Sequence, residues 1–307
     1  MANTTLTVNQ TAFSSYLAEL WGCSEKSVSL SPAFPGYETG LLHSYPITKA
    51  HHWNGWKARH SKSVGHWWCR SLQEAADNYS WPESSEGRSF AELSGALRQA
   101  LTDRDDTRAH QMCLAIFSWG GVARRSTDKS RVWVDQQLQH GTLCESLLTA
   151  VKLLAPDVSH CLDSFDGQTL LMNSAMTKVY AAADPANIII YDGRVGGALG
   201  MLTLYWLEGQ AKHSMPPDMA FPWGNGAGKS SRNPSQGHMI FPKFDYSPSR
   251  TVLRNRTWAS WVRTASGIFQ HMRSINPNIK SLGQIEQAMF MIGYRVQFEA
   301  PASPQAK

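Results

Sequence analysis

Apolar residues recur along this chain at intervals of three and four positions, and they almost nowhere alternate strictly with polar residues. The first spacing is typical of a helix with one buried face, whereas alternation is typical of a half-buried strand. The pattern therefore predicts a mainly α fold with at most a few short strands. It predicts helices over residues 11–22, 89–103, 107–125, 171–184, 193–209 and 281–296, with at least one more between 131 and 157.

Residues at the predicted helix ends support several of these assignments. Ser89 and Glu92 match the capping box, in which each side chain accepts a hydrogen bond from the backbone amide of the other residue. Gly22 follows the first helix, and Gly120 and Gly121 follow a long apolar run, so we expect both helices to end at these glycines.

The two loop-rich segments, 24–60 and 210–250, contain many glycines, prolines and serines. A loop as long as the second one is usually functional or mobile in a compact domain. We divide the chain into an N-terminal helical and loop region (1–104), a catalytic region (105–298) and a disordered tail (299–307). The first residues resemble no signal peptide, and no apolar run approaches the ~20 residues of a membrane span. We therefore expect a cytoplasmic protein without a membrane partner.

Composition permits a nucleic-acid partner without requiring one. The formal net charge is +5, from 29 basic and 24 acidic residues, which is only mildly basic. Twelve tryptophans are unusually many for this length, and a site that stacks bases or sugars would use such rings, as would an ordinary core.

Neither metal nor nucleotide binding is indicated. The five cysteines form no CxxC pair, and the histidine- and tryptophan-rich segment 51–69 matches no metal-ligand spacing. The stretch GNGAGKSS (224–231) resembles a phosphate-binding loop but has Trp223 where its first glycine belongs, and no strand is predicted before it. We expect no cofactor. The stretch is either a plain solvated loop or a flexible basic loop that contacts backbone phosphate.

Lys178 and Asp192 form the pattern that points most directly to chemistry. Lys178 opens a helix, the apolar segment ANIIIY follows it, and Asp192 then opens the next helix, fourteen positions after the lysine (192 − 178 = 14). Because the two helices are consecutive, their starts can face one cleft. The plainer alternatives are that Asp192 is only a helix N-cap and that Lys178 is a solvated helix residue.

Four stretches resemble the helix-hairpin-helix DNA glycosylases, in particular the bacterial branch with the 8-oxoguanine glycosylase fold. They are TKVYAAAD, IYDGRVGGAL, IFSWGG (116–121) and IEQAMFMIGY (285–294), and the resemblance covers roughly residues 105–295. It implies a helical fold with a catalytic cleft. The hairpin of that family grips a phosphate with a Gly-x-Gly turn, whereas this chain has MNSAMTK, in which serine, asparagine or threonine would substitute.

The resemblance also implies the chemistry and the site. A modified base would be flipped out of double-stranded DNA and excised, leaving an abasic site. The Asp192 carboxylate would stabilise the oxocarbenium-like sugar. The Lys178 amine would either attack C1′ and permit strand cleavage, or position a phosphate. The expected base and sugar pocket comprises Trp119, Trp206, Trp223 and Tyr191. The expected DNA contacts are Arg124, Arg125, Thr177, Arg194, Lys229 and Arg232.

Three functions fit this sequence. The first is excision of a glucosylated hydroxymethylcytosine from phage DNA as an antiphage defence, for which the resemblance and the tryptophans are the basis. The second is an 8-oxoguanine-type repair glycosylase and lyase. The third is a helical DNA-binding module that has lost catalysis. The sequence leaves open which base is removed, whether the strand is cut, the role of the N-terminal third and the oligomeric state.

Overall fold

The computed structural model of the chain describes residues 6–22, 41–46, 66–79, 81, 87–156, 160–225 and 232–297. Within these ranges it contains ten α-helices and a single two-stranded sheet. The prediction of a mainly α fold is therefore confirmed. The tail 299–307 and most of the segments 24–60 and 51–69 lie outside the described residues.

The early helices begin and end where local sequence signals place them. Helix α1 spans Val8–Glu19, α2 spans Leu72–Asp77 and α3 spans Phe90–Asp103. The predicted capping box of α3 is present, because the Glu92 amide donates to Ser89 Oγ at 3.3 Å and the Ser89 amide donates to Glu92 Oε2 at 2.7 Å. Together these bonds satisfy two amides that have no partner inside the helix.

Helix α4 spans Asp106–Trp119 and ends at the glycine pair, as expected. Gly121 has a φ of +63°, a left-handed conformation that glycine adopts without steric strain. A loop then leads to α5 (Lys129–Gln139) and α6 (Leu143–Leu154), which together fill the segment for which the sequence predicts at least one helix.

The later helices include the one that contains Lys178 and the one that directly follows Asp192. Helix α7 spans Met176–Ala183 and α8 spans Gly193–Gly209. Helix α9 spans Thr251–Ile275 and is absent from the sequence prediction, although at 25 residues it is longer than its neighbours in the chain. Helix α10 spans Leu282–Ile292. The segment 210–250 contains two short 3₁₀ helices, Pro217–Met219 and Pro248–Arg250.

The sheet pairs β1 (His43–Pro46) with β2 (His66–Cys69) in antiparallel register, with His43 opposite Cys69. Both strands carry aromatic residues, which suit a pleated and half-buried surface. The Tyr45 and Trp67 rings stack at 5.0 Å, so the strands are joined by side chains as well as by the backbone.

The chain divides into two compact units. The first comprises Met1–Leu6, Pro82–Asp192 and Phe244–Gln270, and the second comprises Thr7–Trp81, Gly193–Lys243 and His271–Lys307. In the first unit α3, α4, α6 and α7 pack on one another, and in the second α10 packs on α2 and α8. The boundary predicted between residues 104 and 105 lies inside the first unit. Among the described helices, none combines the length and the hydropathy that crossing a membrane requires.

Candidate functional site

Lys178 and Asp192 lie close together in the first unit. The Lys178 Nζ is 4.0 Å from Asp192 Oδ2, and it donates a hydrogen bond to the Ser174 carbonyl at 2.8 Å. The side chain of Lys178 is 8% exposed and that of Asp192 is 15% exposed. The structure thus brings together the two residues on which the sequence analysis based its chemistry, in a setting largely removed from water.

Gly120, at the end of α4, determines where the lysine side chain runs. A β-carbon at this position would lie 2.6 Å from Lys178 Cδ and 2.9 Å from Cε. Real β-carbons essentially never come so close to a carbon, so only glycine leaves room for the lysine stem in this position. The stretch IFSWGG therefore has a physical link to Lys178 that the sequence alone did not show.

Thr177 is fully buried, and its hydroxyl ties α7 to the segment before Asp192. It accepts a hydrogen bond from the Tyr191 amide at 2.9 Å and donates one to the Ile189 carbonyl at 3.3 Å. A hydroxyl used in this way inside the protein is not presented to a nucleic acid. The prediction that Thr177 contacts DNA is therefore wrong, and the residue organises the segment that leads to Asp192.

Tyr191 is also buried rather than part of an open pocket. Its carbonyl accepts a hydrogen bond from Trp258 Nε1 at 2.8 Å, and its ring meets Phe244 edge to face. Burial raises the pKa of the Tyr191 phenol well above its usual value, and the negative charge of Asp192 adds to this effect. The phenol is neutral. Tyr191 packs in the core of the first unit and does not line an open pocket as predicted.

The start of α7 is capped from within the protein. Asn173 Oδ1 accepts hydrogen bonds from the amides of Ala175 and Met176 at 2.9 and 3.0 Å, and the Asn173 carbonyl accepts one from the Thr177 amide. The Asn173 side chain therefore occupies these amides from within the protein. Its substitution for the glycines of the hairpin stays a prediction.

Two of the predicted pocket tryptophans are buried in the units to which they belong. Trp119 is buried, with its ring 4.6 Å from that of Phe90. Trp206 lies about 20 Å along α8 from Gly193 and packs against Phe13 in the core of the second unit. Trp206 thus lies near the end of α8 that is remote from Gly193, and its assignment to a base pocket stays a prediction.

Trp223 is half-buried in the second unit. Its indole donates to the Phe241 carbonyl at 3.3 Å, and Lys243 Nζ lies 5.6 Å from the ring centre. The next residue, Gly224, packs against Gly193, where a β-carbon would meet the Gly224 carbonyl oxygen at 2.6 Å. Trp223 therefore lies near the first residue of α8, and its assignment to a base pocket stays a prediction.

The predicted DNA-binding arginines divide into exposed and packed residues. Arg124 and Arg125 are exposed on the loop that follows Gly121, and Arg125 pairs with Asp128 at 3.1 Å. The Asp128 pKa lies below its usual value because its carboxylate accepts the Arg125 amide and faces the guanidinium. That these two exposed arginines contact phosphate stays a prediction.

Arg194 and Arg232 pack against other residues of the second unit. The Arg194 guanidinium lies over the rings of Phe290 and Tyr294, at 4.2 and 5.0 Å from their centres, so it packs among aromatic side chains. Arg232 is buried, and its backbone and Cβ lie against Gly197. The prediction that Arg232 contacts DNA is corrected, whereas that for the partly exposed Arg194 stays a prediction. Lys229, with the loop 226–231, lies outside the described residues.

Helix α9 supplies buried polar groups that the sequence analysis missed. Asn255 Oδ1 accepts the Met172 amide at 2.5 Å, and Ser266 Oγ accepts the Ile189 amide at 3.2 Å. With Trp258, these side chains hold the segment before α7 and the segment that leads to Asp192. Their signal in the sequence is a helical repeat of buried residues at Trp258, Val262, Ala265, Phe269 and Met272.

The electrostatics of the pair suit acid–base or charge-stabilising chemistry. Two opposite charges largely removed from water attract each other strongly, and each is expensive to bury alone. A carboxylate that keeps partial access to solvent can also face a developing positive charge on a substrate. Across the ranges that the structure describes, no group of three or more His, Cys, Asp or Glu side chains could hold a metal ion.

Comparison with known proteins adds no relative: no family model, no curated protein and no solved structure matches this chain. The resemblance to helix-hairpin-helix glycosylases therefore remains a prediction from the residues.

Proposed function

We propose that this protein is a DNA glycosylase that excises a modified base and leaves an abasic site. The observation that carries the proposal is the pair formed by Lys178 and Asp192, whose charged atoms lie 4.0 Å apart at the starts of consecutive helices. Both side chains are largely buried, and the Lys178 amine also donates to the Ser174 carbonyl. A carboxylate in this setting can stabilise the sugar cation that forms when an N-glycosidic bond breaks, and the amine beside it can position the carboxylate.

Asp192 supplies the central charge in this proposal. When the bond between C1′ and the base breaks, the bonding electrons leave with the base and the sugar acquires oxocarbenium character. A fixed carboxylate stabilises that cation and orients a water molecule, which adds to C1′, and the proton that this water loses passes to the departing base. The base leaves in protonated form, and the sugar becomes an abasic site.

Lys178 serves as a positioning charge. Its Nζ has two oxygen acceptors nearby, the Ser174 carbonyl and the Asp192 carboxylate, and both suit an ammonium donor. An amine must first lose a proton before it can attack C1′. We therefore propose a hydrolytic glycosylase, with strand cleavage through a Schiff base as the alternative.

Double-stranded DNA is the proposed partner. Arg124 and Arg125 are exposed on the loop that begins beside Gly120, the residue on which the Lys178 stem packs. Backbone phosphates bound there would position the DNA near the pair without reading its sequence. We further propose that the protein acts in the cytoplasm.

The proposed substrate is a modified base, with glucosylated hydroxymethylcytosine in phage DNA as the first candidate and an oxidised purine as the second. The resemblance to the bacterial glycosylase branch supports this order, and so does the tryptophan content of the chain. Most of the predicted pocket tryptophans pack in the core, so the twelve tryptophans support a sugar-bearing base less than their number suggests.

Mass spectrometry of released bases tests the proposal. The purified protein is incubated with unmodified DNA and with DNA that contains hydroxymethylcytosine, glucosylated hydroxymethylcytosine or 8-oxoguanine, and abasic sites are counted in parallel. We expect one modified base to be released, with an equal number of abasic sites. DNA binding without release from any substrate would instead support the non-catalytic module, for which the internally capped start of α7 is the favouring observation.

A further inference from the structure

The backbone of Tyr191, the residue before Asp192, is hydrogen-bonded by two side chains. The Tyr191 amide donates to the hydroxyl of Thr177, which directly precedes Lys178 in α7. The Tyr191 carbonyl belongs to the peptide that links it to Asp192, and it accepts from Trp258 Nε1 on α9. The residue before the carboxylate is thus held from both sides.

We propose that Thr177 and Trp258 are positioning residues that set the separation of the Lys178 amine from the Asp192 carboxylate. This inference rests on the proposed function for its catalytic consequence, whereas its geometric content does not. Neither side chain needs to touch DNA. Thr177 is fully buried, and Trp258 is buried with its ring stacked 3.9 Å from that of Phe244.

The chemistry of the threonine hydroxyl explains why this residue type suits the position. A hydroxyl has one proton to donate and lone pairs to accept with, and Thr177 uses both functions, toward Ile189 and Tyr191. Serine would keep both hydrogen bonds. Valine has nearly the same shape but would leave the buried Tyr191 amide without its acceptor, so the segment would shift to find another.

Trp258 completes the restraint because it binds the Tyr191 carbonyl, whereas Thr177 binds the Tyr191 amide. Its indole nitrogen is a donor only, and the Tyr191 carbonyl lies 2.8 Å away. Phenylalanine would keep most of the stacking with Phe244 but would remove this donor. Removing either restraint should therefore free Asp192 in the same way.

The test compares Thr177→Val, Thr177→Ser and Trp258→Phe with the control Thr203→Val. Thr203 is a fully buried helical threonine whose hydroxyl donates to the Leu199 carbonyl of its own helix, α8. Two quantities are measured in each variant: the kinetics of base release, and the rate at which acetic anhydride modifies Lys178, followed by peptide mass spectrometry without DNA. Circular dichroism establishes that each variant is folded.

We expect Thr177→Val and Trp258→Phe to lower kcat by roughly tenfold to a hundredfold with little change in KM, because misplacement by about 1 Å has effects of this size. Acetylation of Lys178 should become several-fold faster in both. Thr177→Ser should restore both quantities, and Thr203→Val should leave both unchanged.

The acetylation rate separates this inference from the proposed function. Unchanged acetylation of Lys178 in both Thr177→Val and Trp258→Phe would overturn the inference, whatever the enzyme releases. Faster acetylation in a protein that releases no base would support the positioning roles while overturning the glycosylase proposal. If Thr177→Val does not fold, Trp258→Phe and Thr177→Ser decide the question by the same measurements.

Discussion

The stem of Lys178 lies so close to Gly120 that a single added methyl group would meet it at 2.6 Å. The Lys178 side chain runs past the end of α4, in the space that a side chain at position 120 would occupy. Lys178 is therefore placed by a backbone contact on one side and by the Ser174 carbonyl on the other. Such a contact has consequences that can be measured.

Gly120→Ala should lower base release by roughly tenfold or more, because the lysine stem must move and Nζ moves with it. Gly120 has an ordinary helical φ, so the backbone itself tolerates alanine. Gly95→Ala, inside α3, is the matched control, because a β-carbon there meets nothing within 4 Å. It should keep full activity and gain about 0.5–1 kcal/mol of stability. Equal activity of both variants would show that the position of Lys178 does not matter.

The helix ends were predictable because their signals are local. Ser89 and Glu92 lie within one turn of each other, and Gly120 directly follows the apolar run that it ends. Helix α9 was missed although its apolar residues follow the helical period. Its buried face also carries Asn255 and Ser266, and buried polar residues weaken an apolar pattern.

The pairing of Lys178 with Asp192 was predictable from the order of the helices, whereas the surroundings of the pair were not. Arg194 was expected to contact DNA, but the rings that surround its guanidinium come from Phe290 and Tyr294, about a hundred positions later in the chain. Charge in a sequence does not show which way a side chain turns. Only the tertiary contact distinguishes an arginine that binds phosphate from one that packs on aromatic rings.

Asp192→Asn should abolish base release while the protein still folds and binds DNA. The amide keeps the size of the carboxylate but cannot stabilise a sugar cation by its charge. Asp184→Asn is the control, because Asp184 ends α7 and its carboxylate accepts hydrogen bonds from Asn187. Single-turnover assays at saturating protein measure the difference. Excision by Asp192→Asn at a rate near that of the wild type would remove Asp192 from the mechanism.

Lys178→Gln tests whether the amine becomes covalently attached to DNA. Since acceptors lie around Nζ, we expect the wild type to give abasic sites without a borohydride-trapped adduct. The variant should release base roughly tenfold more slowly, because its amide fits the space but lacks the charge. Lys152→Gln, on the exposed side of α6, should behave as the wild type. A trapped adduct that disappears in Lys178→Gln would establish the Schiff-base alternative.

Stability should fall in mildly acidic solution because of His43. Burial lowers the pKa of its imidazole from 6.5 to about 4, although the hydrogen bond to the Arg295 carbonyl opposes this. Below pH 6.5 the unfolded chain therefore binds a proton that the folded protein excludes, and this favours unfolding. The free energy of unfolding is unaffected by His43 above pH 6.5 and falls as the pH drops toward 4. The loss amounts to about 3 kcal/mol at pH 4.

The difference between the wild type and His43→Gln isolates this effect from other titrating groups. Glutamine can donate to the same carbonyl but does not titrate, so the variant should lose less stability between pH 6.5 and pH 4. His140→Gln, at an exposed position after α5, should follow the wild type. Thermal unfolding across this pH range is the measurement, and parallel curves for the wild type and His43→Gln would contradict the assignment.

DNA binding should depend steeply on salt and weakly on sequence. If Arg124 and Arg125 each neutralise a phosphate, replacing both with glutamine should reduce the slope of log K against log salt by about 0.9 per arginine. The matched control replaces Arg104 and Arg108, which are exposed at the other end of α4, about 20 Å from Gly120. Both double variants remove the same net charge, so only a local interaction with phosphate can separate them. Fluorescence anisotropy over a range of salt concentrations gives the slopes, and equal slopes for the two variants would mean that the loop after Gly120 does not bind DNA.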